Sequence, residues 1–203
     1  MANIALIGAS GAAGSRILKE LSNRGHNVTA IARNPERIAA LPGATALKGD
    51  ASDLQGLSEL LRGHDAVVSA ANFTSTDPDT LIGAVRAAGV ARYLVVGGAG
   101  SLEVAPGQRV IDLPDFPDEY KEEASRGADF LARLEQEPGL DWTFLSPSAE
   151  FVPGERTGTF RLGKDTLLSN DQGSRISFED YAVAMADEIE RPAHSRQRFT
   201  VGY

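Results

Sequence analysis

Glycines at positions 8, 11 and 14 stand in the segment Gly8-Ala9-Ser10-Gly11-Ala12-Ala13-Gly14, directly after the apolar run Ile4-Ala5-Leu6-Ile7. A helical pattern opens behind them, with Ile17, Leu18 and Leu21 apolar and Arg16, Lys19 and Glu20 polar. Strand, glycine turn and helix N-terminus in this order make a seat for the pyrophosphate of a dinucleotide. One glycine makes the sharp turn, one lets the backbone approach the phosphates, and one lets the helix pack close to the strand. Unpaired N–H groups and the positive end of the helix dipole then face the anion.

The residue after the second strand selects between the two nicotinamide dinucleotides. An acid there would bond the ribose 2′-hydroxyl of NAD, but this chain has Ala32-Arg33-Asn34. A guanidinium can bond a 2′-phosphate through two parallel hydrogen bonds, so NADP (as NADPH) is the expected cofactor and Arg33 its selector. Asp50 and Ala51 follow the third strand where the adenine edge would lie; Asp50 could equally be a loop or helix-capping residue. Ala70-Ala71-Asn72 ends the fourth strand and Gly97-Gly98 the fifth. Small side chains at these ends would let a ribose and a ring approach the backbone.

These residues need a scaffold, and the chain reads as one. Apolar runs at Asn3–Ile7, 28–32, 45–48, 66–70, 92–96 and 141–145 alternate with helical patterns from Gly14 to Arg24, 53–62, 78–88 and 118–137. Pro35 opens a short helix expected to reach Leu41. Ser177-Phe178-Glu179-Asp180 reads as a capping box opening a helix to Ile189, and Arg198–Val201 as a terminal strand. Alternation of this kind predicts an α/β fold, a doubly wound parallel sheet with helices on both faces. Residues 1–203 read as one domain. Its acceptor side is expected in two irregular segments, about 98–118 and 147–176, which follow strands on the carboxyl side where ligands of such sheets bind. Within the second, 159–162 and 166–168 are expected to pair as a hairpin across Gly163-Lys164-Asp165.

Composition narrows the function. Hydrophobic residues at 42% and charged ones at 24% exclude wholesale disorder. A net charge of −8 without a basic block gives no footing for nucleic acid. The absence of cysteine removes disulfides, thiolate catalysis and cysteine-ligated zinc, and no other metal constellation is visible. No apolar leader or spanning stretch is present, so a cytoplasmic protein, a monomer or homodimer with no membrane partner, is expected.

Several fragments together resemble a known family. They are the glycine loop, Arg24-Gly25-His26-Asn27-Val28, Ala32-Arg33-Asn34-Pro35, Gly49-Asp50 and Gly63-His64-Asp65-Ala66-Val67. Tyr93-Leu94-Val95-Val96-Gly97-Gly98-Ala99-Gly100-Ser101, Asp115-Phe116-Pro117 with Tyr120-Lys121, and Asp141-Trp142-Thr143-Phe144-Leu145-Ser146-Pro147 complete the set. The chain resembles, nearly end to end, the atypical short-chain dehydrogenases of the NmrA-like type, and among them the bacterial NAD(P)H–flavin reductases related to biliverdin reductase B. The resemblance implies a Rossmann sheet ordered 3-2-1-4-5-6 with a seventh strand.

Ordinary short-chain dehydrogenases carry a Tyr-x-x-x-Lys pair, in which the lysine lowers the tyrosine pKa for proton transfer. Here Tyr120 is followed four positions later by Ala124, and Lys121 lies about 100° around a helix from Tyr120. This departure counts against alcohol dehydrogenation, epimerisation and dehydration, each of which needs a positioned proton shuttle. Reduction of a flavin, taken as substrate, or of a similar planar acceptor such as a quinone or tetrapyrrole mainly needs the rings stacked. Ser101 and Tyr120 are the candidate catalytic hydroxyls, and Phe116, Phe151 and Pro147 the candidate platform. Two other outcomes stay open: a non-catalytic NADP-binding redox sensor, and an isomerase or ketoreductase with a non-standard proton donor.

Overall fold

Short extended runs, buried in the centre and exposed at the two edges, become the strands of one eight-stranded sheet. In the computed structural model, which describes residues 1–203, β1 (Asn3–Ile7), β2 (Asn27–Ala32), β3 (Ala44–Lys48), β4 (Ala66–Ser69) and β5 (Arg92–Val96) come first. They are connected through α1 (Ala12–Asn23), α2 (Leu54–Leu61) and α3 (Pro78–Ala88). A hairpin of β6 (Glu103–Ala105) and β7 (Gln108–Arg109) precedes α4 (Asp118–Glu135) and β8 (Asp141–Ser146). Then come β9 (Glu150–Val152), β10 (Arg161–Gly163), β11 (Arg175–Ser177), α5 (Phe178–Glu190) and β12 (Gln197–Gly202).

The sheet order is β3-β2-β1-β4-β5-β8-β12-β10, parallel throughout except for β10, which runs antiparallel to β12. The expected 3-2-1-4-5-6 order is borne out, with β8 as sixth strand and β12 as seventh. Side chains of β1 alternate between two cores: Ile4 and Leu6 meet α1 and α5, whereas Ala5 and Ile7 meet the side of α2, α3 and α4. Both faces are therefore covered, which is why the central strands read as unbroken apolar runs. The order reverses between β2 and β4 at β1, so a crevice opens at the carboxyl ends of β1 and β4.

Three expectations are corrected. Pro35 opens only a 3₁₀ turn, Pro35–Arg37: the chain is already extended at Ile38 (φ −83°, ψ 128°), and Pro42 disfavours helical backbone at Leu41, which leaves too few residues between the two prolines for a helix. The hairpin across Gly163 does not form. Arg161–Gly163 instead pairs with Gly202–Thr200, held there by Arg161, which donates to the carbonyls of Ser169 and Tyr203. The two segments taken as irregular also carry structure: the β6–β7 hairpin in the first, and β9, β10 and β11 in the second.

The second segment is tied down over α1 and α5. Ser177 caps α5 by accepting from the Asp180 N–H at 2.9 Å, as the sequence predicts. The Asp180 carboxylate does not complete a box; it accepts from Thr157 Oγ1 (2.5 Å), Gly158 N–H (2.7 Å) and the Tyr203 hydroxyl (2.8 Å). Arg156 donates to both oxygens of the buried Glu20 on α1, at 2.7 and 2.8 Å, and Arg24 adds a third bond at 2.8 Å. The Arg156 bond is the main cause that holds the Glu20 carboxyl below its ordinary value of 4.5; burial opposes it, and Arg24 adds to it.

A lowered native pKa means that this stabilisation is present above the unfolded value and is lost as pH falls through the folded one. Glu20→Gln is thus expected to unfold at lower urea than the wild type at about pH 7, and the gap is expected to close near about pH 3. A gap that widens on acidification would contradict the assignment.

Candidate active site

Gly8 turns the chain at the end of β1 with φ of +78°, and its N–H and that of Ala9 both donate to the Ile31 carbonyl, at 2.9 and 3.2 Å. Gly11 N–H bonds back to the Gly8 carbonyl at 3.0 Å. A Cβ at Gly14 would stand 2.2 Å from that same carbonyl oxygen, so only glycine lets α1 come this close to the strand. The N–H groups of Ser10, Ala12, Ala13 and Gly14 meet no acceptor within the chain. No acidic side chain lies in the first turn of α1, so its positive end is uncompensated. The residues fit an anionic group: free donors, a dipole end and no Cβ in the way.

A cleft of about 170 Å³ runs from this loop along the strand ends. Gly8, Ser10 and Gly11 line its floor, Arg33 and Asp50-Ala51 one wall, and Ala70-Ala71-Asn72 the other. Ala9 is fully buried behind the loop, and Ala12, Ala13 and Gly14 form the first helical turn and lie outside this lining. Arg33 is exposed and has no ion pair. Hydrogen bonds from Ser52 N–H (2.9 Å) and Ser52 Oγ (2.8 Å) hold the Asp50 carboxyl below its ordinary value, burial opposing and the Arg33 charge adding. Both bonds use Oδ1, which leaves Oδ2 free to accept from a ligand amine.

A second hollow, about 520 Å³, opens beyond the 3₁₀ turn Phe73–Ser75. Ser75 faces the first cleft and Phe73 the second. Gly97 and Gly98 at the end of β5 belong to this second hollow and not to the first. Phe116, Pro147 and Phe151 line it as expected, together with Val110, Leu113 and Pro117. The volume falls within the range of small-molecule pockets. A hollow of about 590 Å³ also exists, but it lies at the amino ends of β8 and β12, around Trp142 and Gln197, away from the loop.

Of the two candidate hydroxyls, the structure brings one to this hollow. Tyr120 lines it, 59% exposed, with its hydroxyl unbonded to protein. Ser101 does not line it: its hydroxyl accepts from Arg198 on β12 at 3.0 Å, and Arg198 is held in turn by Asp165 at 2.9 Å. Lys121 bonds Asp118 at 2.6 Å and is occupied. The position four beyond Tyr120 has no room for a lysine to reach it, since Ala124 packs against the Gly100 turn so closely that a Cβ at Gly100 would lie 2.7 Å away.

Glu123 is the site residue that sequence reasoning missed. Its carboxylate accepts from the N–H groups of Phe73 (2.7 Å) and Thr74 (2.8 Å), fixing the turn that separates the two hollows. The signal was its place one helical turn from Tyr120, on the same face of α4.

With this geometry in hand, comparison with known proteins places the chain. The model of a family described as NAD(P)H-binding matches residues 8–191. The chain belongs to the NAD(P)H-binding family. That match covers the glycine loop, both hollows and α5, and it bears out the NAD(P)H-binding kinship that the resemblance implies. YwnB, an uncharacterised protein of Bacillus subtilis (strain 168), is 44% identical over 98% of this chain and 97% of its own. A Bacteroides thetaiotaomicron protein described as a candidate epimerase is 44% identical, with a TM-score of 0.94 over 100% of this chain and 97% of that one. SP1627 of Streptococcus pneumoniae TIGR4, described as a candidate NADH-flavin reductase, is 36% identical, with a TM-score of 0.81 over 100% and 99%. As a member of an NAD(P)H-binding family, this chain has a nicotinamide dinucleotide as its cofactor. No helix is long and apolar enough to cross a membrane.

Proposed function

We propose that the protein is an NADPH-dependent reductase that delivers hydride to a planar acceptor, a flavin, quinone or tetrapyrrole, held in the second hollow. The observation that carries this reading is the hollow itself: apolar, lined by Phe73, Phe116, Pro117, Pro147 and Phe151, and placed next to the cofactor cleft without a paired acid and base. When bound, the nicotinamide supplies a hydride, so that NADPH, a proton from water and the oxidised acceptor give NADP⁺ and the reduced acceptor.

The chain's own part is positioning. The free N–H groups of the glycine loop hold the pyrophosphate, Arg33 the 2′-phosphate, and the Asp50 Oδ2 or the Ala51 backbone the adenine amine. Gly98 leaves the floor open for a ring, Gly97 is required by packing, since a Cβ there would lie 2.3 Å from the buried Phe144 ring, and the phenylalanine and proline side chains stack and exclude water, which favours a near-attack arrangement. Epimerisation, the activity in the description of the Bacteroides relative, draws no support here, because Tyr120 has no lysine and no other base within bonding distance.

Water reaches the exposed Tyr120 end of the hollow and can supply the proton. Tyr120→Phe is therefore expected to keep kcat within about tenfold of wild type, whereas general acid catalysis would lose roughly 10²-fold or more. Steady-state oxidation of NADPH with riboflavin, FMN and quinones as acceptors tests the whole reading. Acceptor-dependent turnover is expected; tight NADPH binding with no acceptor turned over would make the protein a redox sensor instead.

A further inference from the structure

We infer that the acceptor is uncharged or cationic, and that the site rejects phosphorylated and sulfonated acceptors such as FMN. The inference rests on the reductase reading and adds the charge class of its substrate. Three charged side chains line the acceptor hollow, Asp115, Glu123 and Glu150, and all three are carboxylates. No lysine, arginine or histidine lines it. Over residues 98–123, which supply most of its wall, seven acidic residues stand against two basic ones. Both basic side chains are committed: Arg109 makes a two-pronged bond to Asp112 at 2.8 and 2.9 Å, and Lys121 bonds Asp118 at 2.6 Å. Glu150 meets Arg175 only at 4.0 Å, and Asp115 has no partner.

The anionic ends of the dinucleotide do not enter this field. They are served on the other side of the Phe73–Ser75 turn by the loop N–H groups and by Arg33. The two hollows thus differ in charge: the first sets Arg33 and the free loop N–H groups beside the single carboxylate of Asp50, whereas the second has carboxylates as its only charged groups. A phosphate on an acceptor's tail would have to sit at the mouth, where Asp115 and Glu150 are exposed. Repulsion between exposed charges reaches about one Debye length, roughly 8 Å at physiological salt and about 30 Å at 0.01 M, so the carboxylates act on such a phosphate most strongly at low ionic strength. The reaction balances as above: the acceptor gains a hydride and one proton from water, and NADPH becomes NADP⁺.

The test compares riboflavin with FMN, and a neutral naphthoquinone with its sulfonated analogue, under NADPH saturation. The neutral member of each pair is expected to have a kcat/KM at least roughly tenfold higher at low ionic strength. That ratio should narrow with added salt and in the double variant Asp115→Asn with Glu150→Gln. FMN used as well as riboflavin at low salt, or a preference that neither salt nor the variant moves, would overturn the inference while leaving the reductase reading in place. Titration of flavin fluorescence with the protein and NADP⁺ reads the same preference without turnover. Riboflavin bound in preference to FMN by a protein that reduces neither would sink the reductase reading and keep the charge preference; binding of neither flavin would overturn both.

Discussion

Replacing Gly8 with alanine is expected to abolish dinucleotide binding and to lower the thermal midpoint markedly. Gly8 stands at φ of +78°, a left-handed conformation that a side chain adopts at a cost. A Cβ there would also lie 2.6 Å from the Ala70 carbonyl oxygen and 2.8 Å from its carbon, both backbone atoms of the neighbouring strand end. Strain and overpacking together cost roughly 2–5 kcal/mol. In a chain of this size each kcal/mol lowers the midpoint by about 2–4 °C. Relief requires the ends of β1 and β4 to part, and that gap is the floor of the cofactor cleft. Gly25→Ala is the control. Gly25 has the same φ of +78° but nothing within 4 Å of its Cβ position, so it carries only the backbone term, about 1 kcal/mol, and leaves binding intact. Differential scanning calorimetry and NADPH titration of the two variants check both statements. Equal effects would mean that φ alone, and not the approach of β4, makes Gly8 necessary.

Arg33→Ala is expected to weaken NADPH binding by roughly 10- to 100-fold, the worth of a charge-assisted bidentate contact of about 1.5–3 kcal/mol. NADH binding should change by less than about twofold, because its ribose lacks the phosphate that the guanidinium would hold. Stability should hardly move, since Arg33 is exposed and bonded to nothing in the chain. Arg33→Lys should recover only part of the loss, a point charge without the planar fork. Titration of the three proteins with both dinucleotides decides it. A loss of the same size for NADH would take Arg33 out of the selector role.

How much of this was readable in the chain follows from what each residue touches. The glycine loop and the central strands were legible because their constraints are local: a turn, a buried run, a helix start within a few residues. In the structure Asp53 and Asp77 cap their helices in the same local way, each accepting from an N–H three positions on. What misled reading was contact from far along the chain. Arg161–Gly163 had a plausible partner five residues away, but docked instead on β12, some forty residues on. Ser101 sits where a reactive hydroxyl belongs, directly after the fifth strand; Arg198, ninety-seven positions later, takes it away from the hollow. Glu123 is one of several carboxylates along α4, and the fold brings the N–H groups of Phe73 and Thr74 to it. The platform of Phe116, Pro147 and Phe151 was visible as residue types, though the enclosure that makes them a pocket comes from the packing of α4 against the strand ends.

On the proposed function, one chain holds NADPH through its glycine loop and passes hydride to a ring in the adjoining hollow. A single-turnover measurement tests it most directly: the wild-type protein, riboflavin and NADPH are mixed anaerobically, with protium or deuterium at the transferred position of the nicotinamide. Flavin bleaching and NADPH oxidation are expected to proceed together, and deuterium to slow both. NADPH that binds tightly yet is oxidised no faster with flavin, quinone or tetrapyrrole than without would contradict it.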